Sequence, residues 1–279
     1  MSESAPVVLR SPANPTVRHL IRLRENRYRR KADRVIVDGW RETAQAVESG
    51  MDLCGFYTSE SDPLNPDDSA IQRVLNHPAA AQKQNWVSDG ILEKISFGQS
   101  NRGVVAEFVR PDWNLDRLAL PPQPLVLVLD RIEKPGNVGA VFRCADAAGI
   151  DAVLLSDCHD PLNPNAIRNS LGAIFRVPTA VGSESQVAQF LSAKGFRVLA
   201  ARVESSTPLW STRWNGPVAV VLGSEADGLG ERWKTIPSAD GKPDPVPGIR
   251  IPMAGKIDSL NISVSAAVIA YEAIRQRQS

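Results

Sequence analysis

The chain alternates between short runs of consecutive apolar residues and stretches whose apolar positions recur every three or four residues. Leu125-Val-Leu-Val-Leu129 and Val218-Ala-Val-Val-Leu222 are uninterrupted, as expected of strands buried on both faces. Ala152–Leu155, Phe196–Arg202 and Ile249–Ile251 extend the series. Helical spacing falls between them, over Asn137–Ala148, Ala166–Ile174, Gln186–Ala193 and Leu260–Arg275. This alternation predicts an α/β domain with a mostly parallel sheet over residues 124–279. An earlier series predicts a smaller α/β unit over residues 16–110. Its strands are Arg34–Asp38, Leu53–Thr58, Trp86–Val87 and Gly103–Val109. Its helices are Trp40–Ser49, Ala70–Leu75 and Ile91–Phe97. Residues 111–123 contain Pro121-Pro122 and read as a linker, and the Ser- and Pro-rich residues 1–15 as a flexible arm.

A helical pattern also starts at Thr16, with Val17, Leu20, Ile21 and Leu23 on one face. The other face is basic: Arg18, Arg22, Arg24, Arg27, Arg29, Arg30 and Lys31, with Arg34 beyond, against only Glu25 and Asp33. Tyr28 sits inside the run. By itself such a run fits a solvated helix face; it also fits a phosphate-contacting surface with an aromatic for stacking. The polar turn Gln99-Ser-Asn-Arg-Gly103 reads as a turn, with an RNA-contacting loop as its minority reading.

Composition narrows the class. The 279 residues are 43% hydrophobic and 23% charged, with a net charge of +1, ordinary for a globular protein. Cys54, Cys144 and Cys158 show no paired spacing, and His19, His77 and His159 are the only histidines. A disulfide framework or a metal site is therefore not expected, and a reducing cytoplasm is. The polar N-terminus has no apolar leader pattern, and no run is long enough to cross a bilayer.

Three stretches at strand ends carry the candidate chemistry. In Gly136-Asn-Val-Gly-Ala-Val-Phe-Arg143, Asn137 stands at a loop-to-helix junction and Arg143 lies six residues on. Gly223-Ser-Glu-Ala-Asp-Gly228 puts Glu225 and glycine backbone just after a buried strand, where α/β proteins bind ligands. Ile251-Pro-Met-Ala-Gly-Lys-Ile-Asp-Ser-Leu-Asn-Ile-Ser-Val264 brings Ser259 and Asn261, both good N-cap residues, to the start of the last helix. Singly, each has a plain structural alternative: a capping Asn with a surface Arg, a turn, a capped helix. Three in one half of the chain make coincidence a poor account.

Together these stretches resemble the three signature motifs of the SpoU family, RNA ribose 2′-O-methyltransferases of the knotted SPOUT superfamily that use S-adenosylmethionine. Asn14–Arg18 through Asp38-Gly39 resembles that family's small ribosomal-protein-like substrate-binding domain. The resemblance implies a C-terminal trefoil knot and a homodimer formed through the knotted domain. It implies methylation of a ribose 2′-hydroxyl in structured RNA, with large-subunit rRNA favoured and tRNA the alternative. It implies functional roles for Arg143, Asn137, Glu225, Ser259 and Asn261. Cofactor contacts fall at Leu222, Gly223, Ile251, Met253 and Leu260, and RNA contacts at Arg27, Tyr28, Arg29 and Arg30. Arginine is a poor general base, so Arg143 would stabilise the developing alkoxide or hold the adjacent phosphate. Two departures stand out: an extra residue in Lys134-Pro-Gly-Asn137, and the Pro-rich stretch Lys242–Pro247 between the second and third motifs. A non-catalytic RNA-binding protein is the other alternative. A dinucleotide-dependent dehydrogenase is discounted, since no Gly-x-Gly-x-x-Gly follows a strand.

Overall fold

The structure is a computed structural model that describes residues 7–97, 102–204, 206–224, 228–238 and 242–278. The chain divides into two compact units, Met1–Asp112 with Leu162–Arg176, and Trp113–Pro161 with Val177–Ser279. The first unit thus takes in a segment from the middle of the C-terminal half.

In the first unit the elements run β1 (Val8–Leu9), α1 (Pro15–Arg22), α2 (Asn26–Ala32), β2 (Arg34–Asp38), α3 (Trp40–Glu48), β3 (Leu53–Ser59), α4 (Ser69–Leu75), β4 (Gln84–Val87), α5 (Asp89–Ile95) and β5 (Val104–Val109). The sheet order is β1-β4-β3-β5-β2. β1, β4 and β3 are parallel, and β5 is antiparallel to both its neighbours. Val17, Leu20 and Leu23 pack with Ile36, Val87, Ile91, Leu92, Ile95 and Val105 in one core.

The basic stretch is not one helix. It breaks after Arg22, and a second helix starts at Asn26. The N–H groups of Leu23, Arg24 and Glu25 close the last turn of α1 onto the carbonyls of residues 19–22. Arg29 Nη1 donates to the carbonyls of Leu23 and Arg24 in the connection, both at 2.7 Å.

The inserted segment forms α7 (Pro164–Ser170) and α8 (Ala173–Arg176). Arg168 Nη2 donates to Asp38 Oδ2 at 2.9 Å, and Asp38 also accepts the Phe97 N–H at 2.7 Å. Burial pushes the Asp38 carboxyl above its ordinary value, against the pull of these partners.

The second unit holds β6 (Leu125–Asp130), α6 (Pro135–Ala148), β7 (Ala152–Ser156), β8 (Thr179–Gly182), α9 (Glu184–Ala193), β9 (Arg197–Ala201), β10 (Ser206–Pro208), β11 (Val218–Leu222), β12 (Thr235–Ile236), β13 (Asp244–Pro245), β14 (Gly248–Arg250) and α10 (Ile262–Arg277). Seven strands form one sheet in the order β10-β14-β9-β11-β6-β7-β8, every pairing parallel. β6 and β11 are buried along their whole length, as their uninterrupted apolar runs predict. From β6 the order runs outward one way through β7 and β8, and the other way through β11, β9, β14 and β10. A crevice at the carboxyl ends of the strands is expected where such an order turns. The Pro-rich stretch supplies β13, which pairs antiparallel with β12.

Candidate functional site

The last motif follows β14 and runs into the first turn of α10. Residues 253–260 are irregular, and among the described residues their backbone groups enter no hydrogen bond with other backbone. Its irregular part ends at Asn261, which caps α10 by accepting the Ser263 N–H at 2.9 Å. Sequence reasoning also treats Ser259 as a cap; the structure gives that place to Asn261 alone.

The first motif opens α6. Pro135 occupies the first turn, where its missing N–H costs nothing. The helix therefore starts two residues earlier than expected, and Asn137 is inside it instead of capping it. The Asn137 side chain is thereby left for another partner: Asn261 Nδ2 donates to its Oδ1 at 3.2 Å. Two residues 124 positions apart meet here. Cys144 Sγ to the Ser263 carbonyl, 3.6 Å, and Tyr271 Oη to the Ala147 carbonyl, 3.5 Å, continue the contact of α10 along α6. Arg143 is exposed on α6 and makes no hydrogen bond or ion pair among the described residues.

An open cleft of about 510 Å³, solvent at its mouth included, lies beside the third motif. Its walls include Ile251, Met253, Ser259 and Leu260, four of the residues singled out from the sequence. Ala201, Arg202, Val203, Leu209, Ile249, Arg250, Asp258, Ser265 and Ile269 complete it. The sequence carries no signal for Ala201–Val203 or Leu209; they are brought in by β9 and by the turn after β10. Arg143 and Asn137 are not among the lining residues.

Leu222 and Gly223 do not line the cleft either. Leu222 ends β11 one residue beyond the registered pair Val221–Ala200, so it stands beside Ala201. Gly223 is required by close approach: a Cβ there would sit 2.4 Å from the carbonyl carbon and oxygen of Gly228 and 2.7 Å from the Leu229 nitrogen. The Gly228 N–H donates to the Ser224 carbonyl at 3.0 Å, which closes the loop. Glu225 lies outside the described residues.

In the first unit, Arg27 and Arg30 are exposed on α2. Tyr28 is half-buried; its hydroxyl is 3.0 Å from His19 Nδ1, and the Arg22 guanidinium lies 4.0 Å above its ring. Arg29 corrects the sequence reading. It is only 2% exposed, with its guanidinium turned inward to the carbonyls of Leu23 and Arg24. It shapes the basic surface from beneath and offers no group to a phosphate. The turn at 99–103 lies partly outside the described residues.

Residues 124–271 match the SpoU rRNA Methylase family, and residues 14–106 match the MRM3-like substrate binding domain. The chain belongs to the SpoU rRNA methylase family. It is similar to the 23S rRNA (guanosine-2′-O-)-methyltransferase RlmB of Vibrio cholerae, with 35% identity over 67% of this chain and 76% of that protein. Among solved structures, an RNA 2′-O ribose methyltransferase is 35% identical, covers 98% of this chain and 100% of its own, and gives a TM-score of 0.80. The SpoU methyltransferase AviRb of Streptomyces viridochromogenes, in complex with AdoMet, is 25% identical over 95% and 99%, with a TM-score of 0.81. This SpoU protein is accordingly a methyltransferase with a mixed α/β fold and a separate substrate-binding unit.

The cleft suits S-adenosylmethionine, the cofactor of this chemistry. Leu209, Ile249, Ile251, Met253, Leu260 and Ile269 supply apolar walls, and the irregular segment supplies backbone donors and acceptors. The two guanidiniums in the lining are engaged elsewhere. Arg202 donates to the carbonyls of Trp233 and Val246, at 3.2 and 2.5 Å, and Arg250 to that of Ser206. Asp258 is the acidic residue of the lining. Among the described residues no group of three or more His, Cys, Asp and Glu could hold a metal ion, and no helix is long and apolar enough to cross a membrane.

Proposed function

We propose that the protein methylates a ribose 2′-hydroxyl of large-subunit ribosomal RNA, using S-adenosylmethionine. The observation that carries this reading is the Asn261–Asn137 hydrogen bond, which joins the first and third motifs next to a cleft walled by the third. The bound cofactor would supply an electrophilic methyl group on a sulfonium. Ile251, Met253 and Leu260 would hold it against apolar walls, and Ser259 and Gly223 would offer polar and backbone contacts. Asn137 and Asn261 fix each other and so orient the start of both helices. The exposed guanidinium of Arg143 would stabilise the alkoxide that forms as the hydroxyl loses its proton, or hold the neighbouring phosphate. Holding two reactants in line can contribute about 7–11 kcal/mol to such a transfer.

Arg27, Arg30 and Tyr28 would meet the RNA, the arginines through phosphates and the ring through an unpaired base. Two chains would pair through α10. Val264, Val268 and Tyr271 are 46%, 36% and 54% exposed, and their spacing of four and three residues sets them along one side of that helix. We also read the last strand–loop–helix as threaded into a trefoil knot and the enzyme as cytoplasmic.

The test is transfer of labelled methyl from S-adenosylmethionine to rRNA fragments, with the position read as an alkali-resistant dinucleotide. Arg143→Ala is expected to lose at least about a hundredfold in turnover while cofactor affinity survives. Turnover unchanged in that variant would remove Arg143 from the reaction. Absence of any 2′-O-methyl product from the wild-type protein on ribosomal RNA would remove the assignment.

A further inference from the structure

Outside the cleft, three carboxylates converge on one guanidinium at the carboxyl end of the second unit's sheet. Arg232 Nε donates to Asp130 Oδ2 at 2.9 Å, and Nη2 to Asp130 Oδ1 at 2.8 Å. The same Nη2 reaches Asp157 Oδ2 at 2.5 Å, and Nη1 lies 3.0 Å from Glu184 Oε2. Ser156 Oγ donates to Asp130 Oδ1 at 2.7 Å, and the Trp233 N–H donates to Glu184 Oε1 at 3.2 Å. Asp130 is fully buried, while Asp157 and Glu184 keep contact with solvent. The ends of β6 and β7, the first turn of α9 and the segment before β12 are thereby tied at one point.

Exposed ion pairs contribute little, but a forked guanidinium on a buried carboxylate fixes direction as well as distance. β6 ends at Asp130, shortly before the first motif, and Arg232 follows the second motif. Gly223 has the backbone of Gly228, the motif's last residue, and of Leu229 directly against it, so the residues that lead on to Arg232 bound Gly223.

We propose that Arg232 is a positioning residue for methyl transfer. It holds Gly228–Trp233 at a set place relative to Asp130, and through that segment it holds Gly223. The proposal rests on the reading of Gly223 as a cofactor contact.

The experiment compares wild type with the double variant Arg232→Met/Asp130→Asn, which removes the guanidinium without stranding a buried charge. Affinity for S-adenosylmethionine, affinity for an rRNA fragment, melting temperature and amide exchange over residues 228–233 are measured. The expected result is a loss of cofactor affinity of about tenfold, or ~1.4 kcal/mol, and faster exchange at 228–233. RNA affinity is expected to stay at the wild-type value and melting to change little. Wild-type cofactor affinity with unchanged exchange would overturn the proposal and leave Arg232 as a mere counter-charge. Should the double variant not fold, Arg232→Lys carries the test: one ammonium cannot satisfy three carboxylates with fixed geometry, and undiminished cofactor affinity would again overturn it. A wild-type protein that fails to bind S-adenosylmethionine would instead count against the proposed function, and exchange at 228–233 would still report on the anchor.

Discussion

Arg277, in the last turn of α10, offers the sharpest test of how the end of the chain is held. Its Nε donates to the Trp214 carbonyl at 2.9 Å and its Nη1 to that of Gln123 at 2.8 Å. Its Nη2 is shared between the carbonyls of Gly216 at 2.8 Å and Pro124 at 3.4 Å. One side chain thus ties the last helix to the entry of β6 and to the entry of β11. Hydrogen bonds from a charged group are worth roughly 1.5–3 kcal/mol each. They are not additive here: all come from one guanidinium, and burial has already cost it some hydration, which also lowers its pKa from the ordinary value. A net loss of about 2–4 kcal/mol for Arg277→Ala follows, since the Ala variant forfeits the bonds and leaves carbonyls to find water. At roughly 2–4 °C per kcal/mol for a domain of this size, melting should fall by about 4–16 °C. Arg277→Lys keeps the charge but not the fork, and should fall between wild type and Ala. Urea unfolding of the three proteins, followed by tryptophan fluorescence, measures the difference. An Ala variant within about 0.5 kcal/mol of wild type would refute the reasoning and show the four contacts to be passive.

Four further outcomes are expected. Reversing charge at Arg27 and Arg30 should weaken RNA binding and flatten its salt dependence by roughly one to two released ions. Arg29→Met should instead lower stability with little change in that salt slope, as titrations at several salt concentrations would reveal. Gly223→Ala should reduce cofactor affinity at least about tenfold, because the nearest atoms are backbone at 2.4 Å and cannot swing aside; calorimetric titration with S-adenosylmethionine reads this directly. For Asp130, burial pushes the carboxyl up, but the Arg232 and Ser156 hydrogen bonds outweigh it and the net direction is down. A folded value below the unfolded one stabilises the protein above about pH 4 and loses that contribution as pH falls through the folded value. The stability gap between wild type and Asp130→Asn should therefore be full at pH 7 and shrink below pH 4, measured as denaturant midpoints.

What could be read from the sequence follows from what decides each element. β6 and β11 were legible because both of their faces are buried, so every position is apolar. β8 and β10 were not, because each is short, carries Thr or Ser, and lies at an edge of the sheet. The basic run gives no sign of the break between Arg22 and Asn26; the connection that the Arg29 guanidinium bridges is a contact that no periodicity records. The plain alternative for Asn137, a helix cap, rests on a local rule, whereas its side-chain partner is 124 residues away. The three motifs stood out through their residue types, but the walls contributed by β9 and the Arg232–Asp130 tie, 102 residues apart, are products of the sheet order.

The dependence of the cleft on Ile249–Leu260, Ser265 and Ile269 sets a condition on biosynthesis. These residues all follow residues 7–112 in the sequence, so they leave the translating ribosome after the basic surface has been made. A nascent polypeptide stalled or cut before they emerge would carry the basic surface of the first unit without the cleft's third-motif wall. A product cut before Ile249 would thus keep the exposed Arg27 and Arg30 but lose nine of the cleft's thirteen lining residues.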